Sequence, residues 1–387
     1  MTTIPMYDPL SPEMISDPYP AYARMLEEQP IHWHPVMRAW VVVRHADCVR
    51  VLREHTTFAR DPGRTGEEIP DFRQNVQMMD PPEQTPLRQL LVGAMRSQDK
   101  DQLFQEAVAF LRGRLTAQEP GEPFDWMATL AAPFALHMSA ALLGVPEPDD
   151  EAYAEISHGI ALRMDAGLAP ENIPQGDAAR KRLNELGESW FPRPEGDDGL
   201  IANLIRRADK EFAGSHYIRN SAAMMFNASY GTIFAMVGNS AHLLATVPGL
   251  LPELSVPSHV ATGVDELIRY DGPAQGTSRT AVTETEIQGT RIAAGDSVVT
   301  LLAAANRDPL VFADPQDIKL DRRPNPHLGF GSGPHACFGS EFGKLSITAM
   351  IHALRDEGLR PCLAAEPTRR TTATVRSLDV LPLRLAR

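Results

Sequence analysis

Ten consecutive residues, Phe330-Gly331-Ser332-Gly333-Pro334-His335-Ala336-Cys337-Phe338-Gly339, hold the most pointed chemistry in the chain. One cysteine sits in a glycine-rich bend, two residues after a histidine, and a helix-like run follows. A thiolate offered on a tight loop binds soft metals, because the deprotonated sulfur is the ligand form. Glycines let the backbone take positive φ and come close to a large flat ligand. Porphyrin iron is one centre such a thiolate can hold, and the sulfur then pushes electron density toward the metal and favours O–O cleavage. The plain alternative is a structural cysteine beside a glycine turn. A zinc site would need further clustered Cys or His residues, and the other cysteines, Cys48 and Cys362, are scattered.

A second group is charged. Glu266 and Arg269 lie one turn apart on a predicted helix. As an exposed pair they would contribute only a few tenths of a kcal/mol, a common and weak feature. Arg322 and its neighbour Arg323 stand just upstream of the cysteine loop. An arginine that joined the pair would make a bidentate network that fixes geometry.

These residues need a scaffold. The chain has 387 residues, 43% hydrophobic and 22% charged, an ordinary balance for a globular protein. Its net charge of −13 argues against a nucleic-acid partner. Three cysteines are too few for a disulfide framework and fit a reducing cytoplasm. The first residues have no charged region followed by an apolar core, so no signal peptide is expected, and no run reaches the roughly 20 apolar residues of a membrane span.

The 33 prolines predict many helix starts and stops. Helices are expected over 17–26, 45–55 (with Cys48 as a small buried hydrophobe), 102–115, 127–143 and 259–270. The proline-free stretch 219–247 reads as a long buried helix. Strands are expected at 31–34 and 40–43 as a hairpin, near 281–283, 286–287 and 297–301, and as a terminal hairpin over 377–385. Residues 59–78 lack a period and read as a mobile loop, and breaker clusters fall at 170–175 and 192–198. The fold class is mainly α with a small β region.

The cysteine stretch is similar to the haem-ligand signature of the bacterial cytochrome P450 family, Phe-Gly-x-Gly-x-x-x-Cys-x-Gly, with every fixed position present. Asn306-Arg307-Asp308-Pro309, Phe312 and Asn325-Pro326-His327-Leu328 also resemble that family, so the likeness runs from about Asp17 to the end. It implies a single domain over 1–387, a triangular helical prism with haem b between the long central helix and the cysteine loop. It implies Cys337 as axial ligand of the haem iron, in a loop that includes Phe330, Gly331 and Gly339. Glu266, Arg269 and Arg322 would form a structural network. Gln84 and Arg88 (from Asp80-Pro81-Pro82-Glu83-Gln84-Thr85-Pro86-Leu87-Arg88), Arg279 and His335 would meet the haem propionates. The family usually has histidine where this chain has Gln84, which can still donate a hydrogen bond.

The chain departs from the family over the haem. Ala228-Ser229-Tyr230-Gly231-Thr232 matches a stretch that usually carries an acid before the threonine, with register anchored by Gly238-Asn239. Thr232 matches the catalytic alcohol, but Gly231 stands in place of the acid, whose positioned proton transfer is worth about 10²–10⁴ in rate. Asn227, Gly231, Ala274, Gln275 and Leu378 are placed in the substrate pocket by position. The resemblance implies a monooxygenase that takes electrons from ferredoxin and ferredoxin reductase and oxidises a small natural product. The missing acid leaves open radical coupling of an aromatic substrate without oxygen insertion. A non-catalytic haem sensor or carrier is the reading from another class.

Overall fold

The computed structural model describes residues 7–191, 196–197, 199–208 and 215–387. The expected cluster at 192–198 lies largely outside the described residues, as do the first six residues of the chain.

Everything is arranged around one helix, His216–Thr246, which runs 31 residues without proline and is buried along most of its length. Val247 ends it, just before Pro248, which lacks the N–H needed to continue the ladder. Ala132–Leu143, Ile173–Glu188, Ser340–Asp356 and the strand Arg360–Leu363 all pack against it. Proline opens many of the helices, as expected. Pro12, Pro174 and Pro257 each sit in the first helical turn, where the missing N–H costs nothing.

The hairpin near the start is present, Ile31–His34 antiparallel to Ala39–Val42. It belongs to a five-stranded sheet with Ser297–Thr300, Thr277–Ala281 and Phe58–Ala59. Helix His45–Arg53 packs beside this sheet and buries Cys48, whose thiol burial pushes up. Helix Pro257–Asp271 ends before Gly272-Pro273 and hands the chain to the strand that carries Arg279.

Three expectations need correction. Residues 59–78 are not a plain loop: three single turns of 3₁₀ helix, Pro62–Thr65, Asp71–Arg73 and Val76–Met78, follow the strand Phe58–Ala59. Asp61 and Asn75 cap two of these turns with side-chain oxygens, a local device that needs no hydrophobic period. The helix over 127–143 starts with a wide π-type turn, Met127–Ala131. Pro133 cannot donate to the carbonyl four residues back, and the turn before it widens. The tail is not a hairpin. Leu378–Val380 pairs with Thr368–Arg369, whereas Pro382–Ala386 pairs with Arg360–Leu363 and Phe124–Asp125. A single intervening residue, Leu381, cannot reverse the chain.

Candidate active site

The cysteine loop is held by its own backbone. Gly331 N–H donates to Leu328 O at 2.8 Å, Ala336 N–H to Gly333 O at 3.0 Å, and Cys337 N–H to Phe330 O at 2.9 Å. Gly331 and Gly333 have φ of +67° and +73°, which side-chain-bearing residues rarely adopt. Gly333 also lies against another part of the chain: a Cβ there would come within 2.5 Å of Leu52 O. Helix Ser340–Asp356 begins three residues after Cys337, so the sulfur sits at its positive end.

Cys337 is exposed, yet burial is the main influence on its thiol and pushes it up. Both are true because the surface it exposes faces an internal cavity. The Gly339 N–H and the Arg88 guanidinium oppose the rise and favour thiolate. Arg88 itself donates to Ala336 O at 2.5 Å and covers the Phe338 ring at 5.4 Å. Among the described residues no three His, Cys, Asp or Glu side chains form a metal cage, so Cys337 faces the cavity as a lone thiol.

Glu266, Arg269 and Arg322 meet in a buried network. Arg269 donates to both Glu266 oxygens, at 2.8 and 2.7 Å, and Arg322 Nε lies 3.0 Å from each. Lys319 N–H (2.8 Å) and Asn325 Nδ2 (3.2 Å) complete the set around the carboxylate. Burial would raise the pKa of Glu266, but these donors outweigh it and hold it below the usual range. Arg323 is exposed and outside the network. Asn306 extends the grip by accepting the Leu328 N–H at 2.6 Å, two residues before the loop.

Between the long helix and the loop lies a cavity with about 1380 Å³ of empty space. Phe330, Cys337 and Gly339 form its floor, and Ala228, Ser229 and Thr232 its roof. Arg60, Arg88 and Arg279 stand at its walls, and among the described residues no Asp or Glu lines it. Arg279 is buried, and among the described residues its guanidinium bonds Ser278 O (2.7 Å) and Thr277 Oγ1 (3.3 Å). Burial, with repulsion from Arg60, lowers its pKa to about 9. Burial lowers Arg60 as well. Among the described residues neither guanidinium forms a direct ion pair with a carboxylate, Asp80 acting on both only at longer range, so the two desolvated cations can take a further anion. A flat group with an iron for the thiol and two carboxylates for the guanidiniums fits this donor set, and haem is such a group.

His335 and Gln84 reach the cavity, but both are committed to one another. His335 Nε2 donates to Asp80 Oδ1 at 2.8 Å, and Gln84 Nε2 stands 3.0 Å from His335 Nδ1. Burial lowers the His335 pKa to about 4 despite Asp80, so the ring is neutral and neither nitrogen is free.

In the roof, Thr232 Oγ1 donates back to Ala228 O at 2.6 Å. Of the five residues expected in the pocket, Ala274 lines the cavity. The other four do not. Asn227 accepts from Tyr153 O–H at 3.3 Å, and Gly231 faces helix Asp150–Met164, where a Cβ would lie 3.7 Å from Ser157 Oγ. Gln275, just before the strand Thr277–Ala281, accepts from Tyr22 O–H at 3.1 Å, and Leu378 is fully buried in the core. Helical phase explains the first two: with 228 and 232 over the cavity, 227 and 231 point about 100° away. Sequence reasoning missed Arg60, Gln77 and the methionines Met224, Met225 and Met236, which line the cavity. Steps of four residues from Thr232 would have found Met224 and Met236, and a step of seven Met225.

Comparison with known proteins agrees with this geometry. The Cytochrome P450 family profile matches residues 260–355. Cytochrome P450 monooxygenase PikC of Streptomyces venezuelae is 28% identical, over 98% of this chain and 93% of that protein. Nocardicin C N-oxygenase of Nocardia uniformis subsp. tsuyamanensis is 29% identical, over 93% and 92%. The crystal structure of CalO2 superposes with a TM-score of 0.88 at 27% identity, covering 99% of both chains. The chain belongs to the cytochrome P450 family, and it is a monooxygenase whose cofactor is haem held through a thiolate. Like bacterial members generally, it works with redox partners on a small molecule. Among the described residues no helix is long and apolar enough to cross a membrane.

Proposed function

We propose that residues 1–387 form one haem domain in which Cys337 is the iron ligand, and that it inserts one oxygen atom into a small secondary metabolite by hydroxylation or epoxidation. The observation that carries this is a lone thiol on the floor of a cavity walled by guanidiniums without carboxylate partners. When bound, haem supplies the redox chemistry that reduces and cleaves dioxygen. The balance for hydroxylation is R–H + O₂ + 2 e⁻ + 2 H⁺ → R–OH + H₂O, with both electrons delivered by ferredoxin and ferredoxin reductase.

The protein's own groups divide the remaining tasks. Arg88 and Arg279 hold the cofactor's carboxylates. Glu266, Arg269 and Arg322 fix the segment before the loop, so the sulfur is positioned before substrate arrives. Thr232 is the catalytic alcohol. Its Oγ1 proton is parked on Ala228 O and must leave that bond to be passed on. Among the described residues no carboxylate lines the cavity to recharge it, so water or a substrate hydroxyl supplies the next proton. Met224, Met225 and Ala274 give the substrate an apolar wall, and Ser229 and Gln77 offer hydrogen bonds, which suits an amphipathic ring system.

The same absence favours a second reading, oxidative coupling of an aromatic substrate with no oxygen retained. Turnover under ¹⁸O₂ with a ferredoxin system separates the two, once candidate metabolites have been screened for a shift of the iron spin state. One labelled atom in product supports insertion, whereas an unlabelled coupled product overturns it.

A further inference from the structure

We propose that Arg60, acting with Arg279, receives one carboxylate of the haem in this chain, the place that family resemblance gives to His335. The proposal rests on the haem-thiolate reading above and concerns a residue in the stretch 59–78, which the sequence reads as a mobile loop without singling out Arg60.

The His335 ring has nothing left to offer. Asp80 Oδ1 takes its Nε2–H and Gln84 occupies Nδ1. With Gln84 Nε2 at 3.0 Å from Nδ1, neither ring nitrogen is left for a cofactor carboxylate. The other Asp80 oxygen does different work. Oδ2 accepts the backbone N–H groups of Arg60, at 2.9 Å, and Asp61, at 3.1 Å, with Arg64 Nη1 at 3.3 Å. One carboxylate therefore both consumes the histidine and fixes the backbone from which Arg60 projects.

The Arg60 side chain remains underused. Among the described residues its guanidinium bonds Gln77 Oε1, at 3.3 Å, and no carboxylate forms an ion pair with Arg60 or Arg279, although Asp80 acts on both at longer range. Both line the cavity, where burial first and mutual repulsion second weaken proton binding on Arg279. Two like charges at one dry wall are costly unless an anion joins them. A guanidinium fork suits a carboxylate better than an imidazole does.

The test is a cycle over protein and cofactor. Wild type, Arg60→Gln and Arg60→Lys are loaded with haem or with haem dimethyl ester, whose carboxylates carry no charge. Cofactor loss to excess apomyoglobin is followed by absorbance. Arg60→Gln should lose free-acid haem about 10- to 100-fold faster than wild type, the range for a hydrogen bond to a charged group. Arg60→Lys should fall between them, and with the ester wild type and Arg60→Gln should match. Should Arg60→Gln not fold, Arg60→Lys gives the same cycle with a several-fold effect confined to the free acid. Equal loss rates for free-acid haem overturn the proposal, including the case in which Arg60 only binds an acidic substrate. An equal loss ratio with the ester overturns it too, because the residue would then be merely structural. Wild type that takes up no haem with a thiolate spectrum would instead sink the reading on which the proposal rests.

Discussion

Glu266→Gln is the sharpest perturbation of the scaffold, because it keeps shape and removes one charge from a site closed to water. Glu266 and Arg269 are at most 1% exposed and Arg322 is 8% exposed. The carboxylate takes contacts from Arg269, Arg322, Lys319 and Asn325, and the amide would turn a donor toward one of the guanidiniums. Summing those contacts would overstate the loss. Arg269 keeps Asn306, Pro315 and Asp317 carbonyls, and Arg322 keeps those of Ala313, Asp314 and Asp317. Breaking a buried pair costs about 3–5 kcal/mol, and the surviving carbonyls put this case near the low end, about 3 kcal/mol or roughly a hundredfold in the unfolding constant. Urea titration of the holoprotein, read by circular dichroism and by the carbon monoxide spectrum of thiolate haem, measures it. The thiolate signal should fail at lower urea than in wild type and ahead of the helical signal, since the network pins the segment before the cysteine loop. Glu54→Gln, in the half-exposed helical pair with Arg50, is the control and should change little. Coincident curves for Glu266→Gln and wild type would refute the idea that this network holds the loop.

Three further outcomes follow from the site. Cys337→Ser should abolish the thiolate-type carbon monoxide spectrum; retention of that band would remove Cys337 from the iron. Acid should destabilise the fold through His335, whose folded pKa of about 4 lies below the ordinary histidine value of 6.5. The unfolded chain then takes up the proton first, so stability is full above pH 6.5 and falls by about 3 kcal/mol toward pH 4. Asp80, held at about 2 because its donors outweigh burial, extends the loss in the same direction below the ordinary aspartate value of 3.8. His335→Asn should flatten urea midpoints measured between pH 7 and 4, and an unchanged slope would count against the assignment. Gly231→Asp should leave the ratio of product to released hydrogen peroxide near that of wild type, because position 231 faces Ser157 and not the cavity; a clearly changed ratio would show that an acid there reaches the reacting centre.

The parts of this protein that sequence made legible are contiguous or periodic. The cysteine loop spans ten residues, Glu266 and Arg269 are one turn apart, and the long helix announces itself by lacking proline. What stayed hidden depends on contacts between distant segments. Arg60 is one of three arginines in an aperiodic stretch, and its meaning comes from Asp80 twenty residues on and from a cavity wall closed by Arg279. The strand ending the chain finds its partners at 124–125 and 360–363, which no local turn signal encodes. Asn227 and Gly231 are different: the 3.6-residue period, applied from Thr232, already turns them off the cavity.

Gly333 carries one more implication. Its α-carbon nests on the carbonyl of Leu52, almost three hundred residues earlier, with no space for even a methyl group. The ligand motif is continuous on paper and composite in space. A fragment that kept the whole signature together with both long helices, but lost the first fifty or so residues, would own every atom of the sulfur loop and lack the mould that shapes it.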